Sequence, residues 1–298
     1  MLQSYDERNA DIVYWVNGVL RHRDEPGLSP FDSVVQGGDA VWEGLRLYDG
    51  RIFGLDAHLA RLHRSALALG FTAIPSRDEM VAAIIATLHA NGMRDGVHVR
   101  LTLTRGVKVT SGMDPRLNTA GSTLVVLAEH KPPVYGTGGL RLVTASVRRP
   151  GPDVLDPRIH HTNLLNSILA KIEANVAGAD DAILLDGRGF VAETNATNLF
   201  AVVGGGLVTP RAVACPEGIT RGTVLELAPA AGIRVAERDV ALVELYTADE
   251  VFCTGTMGEI AGVVQIDGRP VGDGSVGPVT RRIAGLYLDH ARSHGTPV

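Results

Sequence analysis

The chain has 298 residues, 45% of them hydrophobic and 20% charged, with a net charge of −5 at pH 7. This is the composition of a globular protein long enough for two domains. The sequence has no basic run and no apolar stretch of about 18 residues, so we expect neither a nucleic-acid nor a membrane partner. The polar, acidic first residues are not typical of a signal peptide. Only Cys215 and Cys253 are present, without metal-ligand spacing, so we expect a cytoplasmic protein with no metal.

The N-terminal third begins with two predicted hairpins. Strands at 13–16 and 19–20 flank Asn17-Gly18, a pair typical of a two-residue turn. A second hairpin is expected at 45–48 and 51–55 around Asp49-Gly50. These signals predict antiparallel strands at the start of the chain.

Two helices follow the hairpins. Asp56 is expected to cap the first helix, which ends at Gly70. Its inward residues are Leu59, Leu62, Ala66 and Leu69. Ser76 and Glu79 form a capping box that opens the second helix, which ends near Asn91-Gly92.

Two strands and a linker complete the first half. Apolar residues alternate over 97–103, as in a half-buried strand, and 123–128 form a continuous apolar strand. The Pro- and Gly-rich segment 131–139 is typical of a linker. We therefore expect a smaller N-terminal domain at 1–130 and a larger C-terminal domain at 140–298.

The second half alternates strands and helices. Strands are expected at 140–146, 182–185, 190–192, 198–203 and 250–253, and helices at 163–176, 220–231 and 278–292. The helix at 163–176 is expected to place four apolar residues inward: Leu165, Ile168, Leu169 and Ile172. The pattern indicates an α+β fold of two α/β domains and lacks the βαβ rhythm of a doubly wound sheet. A dinucleotide-binding loop lies between a strand and the start of a helix. The glycine tracts at 136–139 and 204–206 lack this context, so we exclude such a loop.

Four segments together resemble the class IV aminotransferases, the fold-type IV family of pyridoxal 5′-phosphate (PLP) enzymes. They are 41–46 (VWEGLR), 58–62 (HLARL), 187–200 (GRGFVAETNATNLF), and 218–221 (GITR) with 252–256 (FCTGT). The family includes branched-chain and D-amino acid aminotransferases. The resemblance implies amino-group transfer between an amino acid and a 2-oxo acid, a homodimer, and a cofactor in the interdomain cleft.

The resemblance also implies which residues contact the cofactor. Arg61 matches the family's phosphate-binding arginine, and a guanidinium suits a phosphate dianion. The amides of Ile219 and Thr220 at a helix start, with Gly255 and Thr256 at a strand end, match its other phosphate contacts. Glu193 matches the carboxylate that pairs with the pyridine nitrogen and keeps it protonated.

Substrate contacts are implied less specifically. Arg100 matches a carboxylate-binding arginine of branched-chain enzymes, and Arg105 matches one of D-amino acid enzymes. Either could bind a substrate carboxylate, or lie on a strand surface. Trp42 could line the substrate pocket or belong to the core.

The chain departs from the family at the lysine that binds the cofactor covalently. The expected positions hold His160 and Ile159, and the nearest downstream lysine, Lys171, lies two turns inside a helix. A histidine cannot form the covalent bond but can move a proton. PLP, or pyridoxamine 5′-phosphate, is therefore expected to bind without a covalent bond. Tyrosines that the family often has are also absent, near Gln36 and at Leu164.

Three functions remain open from the sequence. The first is an aminotransferase, weak or altered because the lysine is missing. The second is a lyase or dehydratase that uses the same cofactor with His160 as the base. The third is a non-catalytic relative. Retention of Arg61, Glu193 and Thr256 favours the enzymes over the third.

Overall fold

Two β-sheets organise the chain, and the computed structural model describes residues 3–298. The N-terminal unit comprises Ser4–Pro132, Ile159–Asn163 and Ala291–Val298. The C-terminal unit comprises Pro133–Arg158 and Leu164–His290. The first change of unit falls inside the segment 131–139, where the linker is predicted. Neither unit is contiguous in sequence, because Ile159–Asn163 pairs with a strand of the N-terminal unit.

The elements are as follows, in chain order. The strands are β1 (Val13–Val16), β2 (Val19–His22), β3 (Ala40–Tyr48), β4 (Arg51–Ile52), β5 (Val97–Thr104), β6 (Thr123–His130), β7 (Leu140–Arg148), β8 (Asp181–Leu185), β9 (Val191–Thr194), β10 (Asn198–Val203), β11 (Gly206–Pro210), β12 (Val235–Arg238), β13 (Glu250–Gly255), β14 (Glu259–Ile266), β15 (Arg269–Pro270) and β16 (Thr296–Pro297). The α-helices are α1 (Ser33–Gly37), α2 (Leu55–Ala68), α3 (Arg77–Ala90), α4 (Leu165–Val176), α5 (Ile219–Ala230), α6 (Leu242–Tyr246) and α7 (Pro278–Ser293).

The N-terminal sheet is antiparallel, with the order β16-β4-β3-β5-β6-β1-β2. Side chains alternate between its two faces. The odd-numbered residues of β5 between Val97 and Leu103 are fully buried and pack with α2 and α3 residues such as Leu62 and Ile84. The even-numbered residues, including Trp42 on β3 and Arg100 on β5, point to the other face.

The C-terminal sheet is mixed, with the order β12-β11-β10-β13-β14-β7-β8-β9 and β15 paired to β14. Three pairs are parallel, β11 with β12, β14 with β7, and β7 with β8. The others are antiparallel. The predicted α+β class, with two α/β units, is confirmed, and within residues 3–298 no helix is long and apolar enough to cross a membrane.

The predicted Asn17-Gly18 turn and Ser76–Glu79 capping box are confirmed. Val16 pairs with Val19 across Asn17-Gly18, and both turn residues have positive φ, 44° and 91°. The Ser76 side chain accepts from the Glu79 amide while the Glu79 carboxylate accepts from the Ser76 amide. Short-range chemistry therefore determined these boundaries.

Two predictions about α2 and its preceding hairpin are wrong. The second strand has only two residues, and Leu55 already belongs to α2. The N-cap is Gly54, with a left-handed φ of 63°, and no side chain caps the helix. Asp56 lies in the first turn and pairs with Arg77 instead. Gly54 adopts a left-handed backbone conformation, which glycine does without steric cost, and this turn leads the chain into the helix.

The predicted inward face of α4 is also wrong. Ala170 and Ala174 are fully buried and pack with Ala145, Ala182 and Leu184. The larger apolar side chains are exposed: Leu165 by 74%, Ile168 by 50%, Leu169 by 50%, Ile172 by 51% and Val176 by 86%. Small side chains let the helix approach the sheet closely, so the larger stripe is left on the outside. The helix also begins at Leu165 rather than 163, because Asn163 bonds to the Gly38 carbonyl.

Candidate active site

The segment Ile159–Asn163 lies alongside the start of β3. The Trp42 amide donates to the His160 carbonyl at 3.0 Å, and the Thr162 amide donates to the Ala40 carbonyl at 3.0 Å. The His160 amide donates to Ser65 Oγ on α2 at 3.0 Å. These backbone contacts fix His160 beside β3.

Glu43 lies at the centre of the site and is fully buried. Arg61 donates to both carboxylate oxygens, through Nε at 2.8 Å and Nη2 at 2.6 Å. His58 Nδ1 lies 2.7 Å from Oε2, and His160 Nδ1 lies 3.3 Å from Oε1. His58 and Arg61 lie one turn apart on the same face of α2, so both can contact the Glu43 carboxylate of β3.

The charges around Glu43 determine its ionisation. Burial alone would raise the pKa of this carboxyl, but His160 and Arg61 hold it well below its ordinary value. For His58, burial lowers the ring pKa and outweighs the opposing effect of Glu43. We conclude that Glu43 is a carboxylate and His58 a neutral donor to it at neutral pH.

The His160 ring is held on Trp42. The two rings stack with centroids 4.4 Å apart and an angle of 24° between their planes. His160 Nδ1 lies 2.6 Å from the Trp42 carbonyl oxygen. The guanidinium carbon of Arg100 lies 4.0 Å from the Trp42 ring centroid. The structure therefore brings together three predicted site residues, Trp42, Arg100 and His160.

The sheet face around Arg100 is cationic. Burial lowers the pKa of Arg100, which is half-buried. His98, two residues away on β5, is 7% exposed, and neither of its ring nitrogens has a hydrogen-bond partner among residues 3–298. Burial, together with the charges of Lys131, Arg100 and Arg46, lowers the pKa of His98 to about 3. Such a face favours an anionic group over a cationic one.

Arg105 has a different environment from Arg100. Its guanidinium binds Asp39 through Nε at 2.6 Å and Nη2 at 3.1 Å, and donates to the Leu69 carbonyl at 2.7 Å. Its carbon lies 4.4 Å from the Phe71 ring centroid. A substrate carboxylate at Arg105 would have to compete with Asp39.

Glu193 is a second buried carboxyl, in the C-terminal unit. Its Oε1 lies 2.5 Å from Arg149 Nη2, and its exposed fraction is 5%. Burial raises the pKa of Glu193 to about 7, although Arg149 acts in the opposite direction. This group is therefore close to its titration point at neutral pH.

The first turn of α5 holds Ile219 and Thr220. The N-cap is Gly218, and no side chain caps the helix. A side chain at Gly218 would collide with the Asn198 amide, which donates to the Pro216 carbonyl at 3.2 Å. The uncapped amides give this helix start the chemistry of an anion site.

The end of β13 carries Gly255, with Thr256 directly after it. Gly255 pairs with Glu259 of β14. A Cβ at Gly255 would lie 3.0 Å from Thr197 Cγ2, so this position favours glycine. The preceding residue, Thr254, has a buried hydroxyl without a hydrogen-bond partner within residues 3–298. A buried hydroxyl of this kind is suited to a bound polar group.

The chain has three lysines. Lys108 Nζ donates to the Gly112 carbonyl at 2.6 Å, and Lys171 Nζ donates to the Asp180 carbonyl at 2.5 Å. Lys131 lies at the end of β6, where its charge acts on His98. No group of His, Cys, Asp and Glu within residues 3–298 has the arrangement of a metal site.

Sequence reasoning missed the partners of the predicted residues. Glu43 lies inside the family segment 41–46, and His58 precedes Arg61 by one helical turn, so both were visible but had no assigned role. Arg149 and His98 carried no motif, since their roles depend on strands that meet only in the fold.

Comparison with known proteins identifies the family. The model of class IV aminotransferases matches residues 40–266. Branched-chain-amino-acid aminotransferase-like protein 2 of Arabidopsis thaliana is 55% identical over 291 residues, 97% of this chain and 52% of that protein. The chain thus spans about half the length of this relative. The putative branched-chain-amino-acid aminotransferase of Methanocaldococcus jannaschii is 41% identical over 285 residues, 95% of this chain and 98% of that protein.

A solved structure agrees with the sequence relatives. The T.th. branched-chain amino acid aminotransferase, complexed with N-(5′-phosphopyridoxyl)-L-glutamate, superposes with a TM-score of 0.88. It is 34% identical, and the match covers 95% of this chain and 94% of that one. The chain belongs to the class IV aminotransferase family, and these relatives are branched-chain aminotransferases or resemble them.

Proposed function

We propose that the chain is a PLP-dependent enzyme that transfers an amino group between an amino acid and a 2-oxo acid, without a covalent bond between lysine and cofactor. The observation that carries the proposal is Glu193, a buried carboxyl in the family's motif with Arg149 as its paired cation. A buried carboxylate is the group that holds a pyridine nitrogen in its protonated form.

The other predicted residues of each unit have the chemistry of phosphate contacts. The uncapped start of α5 offers the amides of Ile219 and Thr220, and Thr254 offers a buried hydroxyl beside Gly255 and Thr256. Arg61 is buried, and its Nε and Nη2 donate to Glu43. A guanidinium has five N–H donors, so one arginine can bind a carboxylate and a phosphate together.

The residues do not fit a covalent attachment at the family's position. His160 occupies it, and Lys108 and Lys171 are bound to backbone carbonyls. We propose that PLP or pyridoxamine 5′-phosphate is held by ionic and hydrogen-bond contacts alone. The cofactor would supply an electron-withdrawing ring. His160 is the residue of this chain placed to move protons.

The substrate would be an amino acid of the branched-chain or D-amino acid type, with the corresponding 2-oxo acid. Arg100, stacked on Trp42 on a cationic sheet face, supports recognition of a substrate carboxylate. Arg105 is the weaker candidate for this role, because Asp39 already neutralises it.

We further propose a homodimer in the cytoplasm. The support for a dimer is the exposed apolar face of α4, which is larger than scattered single residues on a monomer surface. Cys215 and Cys253 are buried and form no disulfide, as expected in a reducing compartment.

The first test measures the absorbance spectrum of the purified chain during titration with PLP, followed by borohydride reduction and mass spectrometry of the denatured chain. We expect a bound chromophore and an unchanged protein mass after reduction. His160→Lys is the matched control, and we expect it to gain the mass of one reduced cofactor. A wild-type mass increase mapped to Lys131 would contradict non-covalent binding, and absence of any chromophore would contradict the cofactor proposal.

A further inference from the structure

We infer that His160 transfers protons through its Nε2 atom. Its Nδ1 atom contacts two hydrogen-bond acceptors and must therefore be the donor. This inference rests on the proposed function for the identity of the substrate. The argument for the atom itself depends on geometry within the N-terminal unit.

The partners of Nδ1 are both acceptors. The Trp42 carbonyl oxygen lies 2.6 Å from Nδ1, and Glu43 Oε1 lies 3.3 Å from it. A backbone carbonyl has no hydrogen to donate, and Glu43 is ionised. Nδ1 must therefore carry the hydrogen. The neutral ring has its lone pair on Nε2.

Nε2 is available to a substrate. Within residues 3–298 it forms no hydrogen bond and is not among the buried polar atoms, and the side chain is 15% exposed. The stack on Trp42 and the backbone bonds to Trp42 and Ser65 hold the ring in this orientation. A base in a fixed position with a free lone pair meets the geometric requirement for general acid–base catalysis.

Glu43 adds an electrostatic contribution to this arrangement. When Nε2 takes a proton from a carbon acid, the C–H bond breaks, its electron pair stays on the substrate side, and an N–H bond forms. The ring becomes an imidazolium that faces the Glu43 carboxylate. The carboxylate stabilises this charge without taking the proton, as the third member of a catalytic triad does. Return of the proton to another substrate atom restores the neutral ring.

His161 provides an internal contrast. The Asn163 amide donates to His161 Nδ1 at 3.2 Å, so the lone pair of His161 lies on Nδ1 and its hydrogen on Nε2. Two adjacent histidines are thus expected to be opposite tautomers.

The first experiment is long-range ¹H–¹⁵N correlation NMR of the full chain with ¹⁵N-labelled histidine, without added cofactor, between pH 6 and 9. His160→Gln and His161→Gln assign the two rings, and circular dichroism checks that each variant is folded. We expect His160 to show hydrogen on Nδ1 and His161 on Nε2. A His160 ring with hydrogen on Nε2, or one protonated on both nitrogens at pH 9, overturns the inference.

The second experiment measures exchange of the α-hydrogen of an amino acid with D₂O in the presence of PLP. His160→Gln should slow exchange by roughly 100-fold, the lower end of the range for general acid–base groups. His161→Gln should stay within about twofold. Bound PLP with unchanged exchange in His160→Gln overturns the inference and leaves the proposed function intact. Failure of PLP to bind the wild type refutes the proposed function, whereas the tautomer result is independent of it.

Discussion

Glu43 in the N-terminal unit and Glu193 in the C-terminal unit are both buried carboxyls, but their ionisation differs. Glu43 contacts Arg61, His58 and His160, and its pKa lies well below the ordinary value. Glu193 has Arg149 as its paired cation, and its pKa rises to about 7. Burial penalises both charged forms, so the surrounding cations decide the sign of the shift. Glu43 therefore stays ionised at neutral pH, whereas Glu193 changes its protonation near pH 7.

The largest expected effect comes from removing the charge of Glu43. Glu43→Gln leaves Arg61 buried without its carboxylate, and we expect the free energy of unfolding to fall by about 3–5 kcal/mol. Urea denaturation at pH 7.5 measures this change. Asp56→Asn is the control, because its pair with Arg77 is exposed to solvent and should contribute far less to stability. Equal losses in the two variants would show that burial does not strengthen the Glu43 contacts.

A smaller effect, one that depends on pH, is expected for Glu193. Its folded pKa of about 7 exceeds the ordinary 4.5, so the folded chain retains a proton that the unfolded chain releases in this window. The free energy of unfolding should therefore fall by about 3 kcal/mol as pH rises from 4.5 to 7, without added cofactor. The difference between wild type and Glu193→Gln isolates this contribution. A difference that does not vary with pH would contradict the raised pKa.

The contribution of Glu43 to stability changes with pH in the opposite direction to that of Glu193. Its folded pKa lies below the ordinary value, so its contribution is present above pH 4.5 and is lost as pH falls through the folded pKa. The two carboxyls should therefore be separable by pH alone, Glu193 between 4.5 and 7 and Glu43 below 4.5.

The smallest effect concerns a single partner of Glu43. His58→Phe keeps an aromatic ring but removes the Nδ1 donor, and we expect a loss of about 1.5–3 kcal/mol, typical of a hydrogen bond to a charged group. Thermal or urea unfolding measures it. His63→Phe, on the exposed side of the same helix, should change stability by less than about 0.5 kcal/mol. A similar loss in both variants would mean that ring packing, rather than the hydrogen bond, determines the result.

Much of the fold could be predicted because its signals are local. The Asn17-Gly18 turn and the Ser76–Glu79 capping box involve residues within three positions of each other, so the sequence contains the whole interaction. The exposed face of α4 could not be predicted this way. An apolar stripe shows that a helix is amphipathic, but on α4 the small Ala170 and Ala174 pack inward and the larger apolar side chains are exposed.

Motifs in the sequence mark candidate residues for the site but not the contacts between them. Motifs singled out Arg61, Glu193 and His160 from chemistry that the family requires. The carboxylate that organises Arg61 and His160 comes from β3, and it meets them only after α2 and Ile159–Asn163 dock on that strand. The spacing of these residues along the chain does not reveal that they are in contact.

The discontinuous N-terminal unit has a consequence for synthesis in the cell. β16, at Thr296–Pro297, pairs with β4 at the edge of the N-terminal sheet, and His160 is held beside β3. During translation, residues 4–132 are made shortly before Ile159–Asn163 and long before β16. An early folding intermediate would present β4 as an unpaired edge and bury Glu43 without His160. The β4 edge of the N-terminal sheet would therefore stay open to pairing with other strands until β16 has been made.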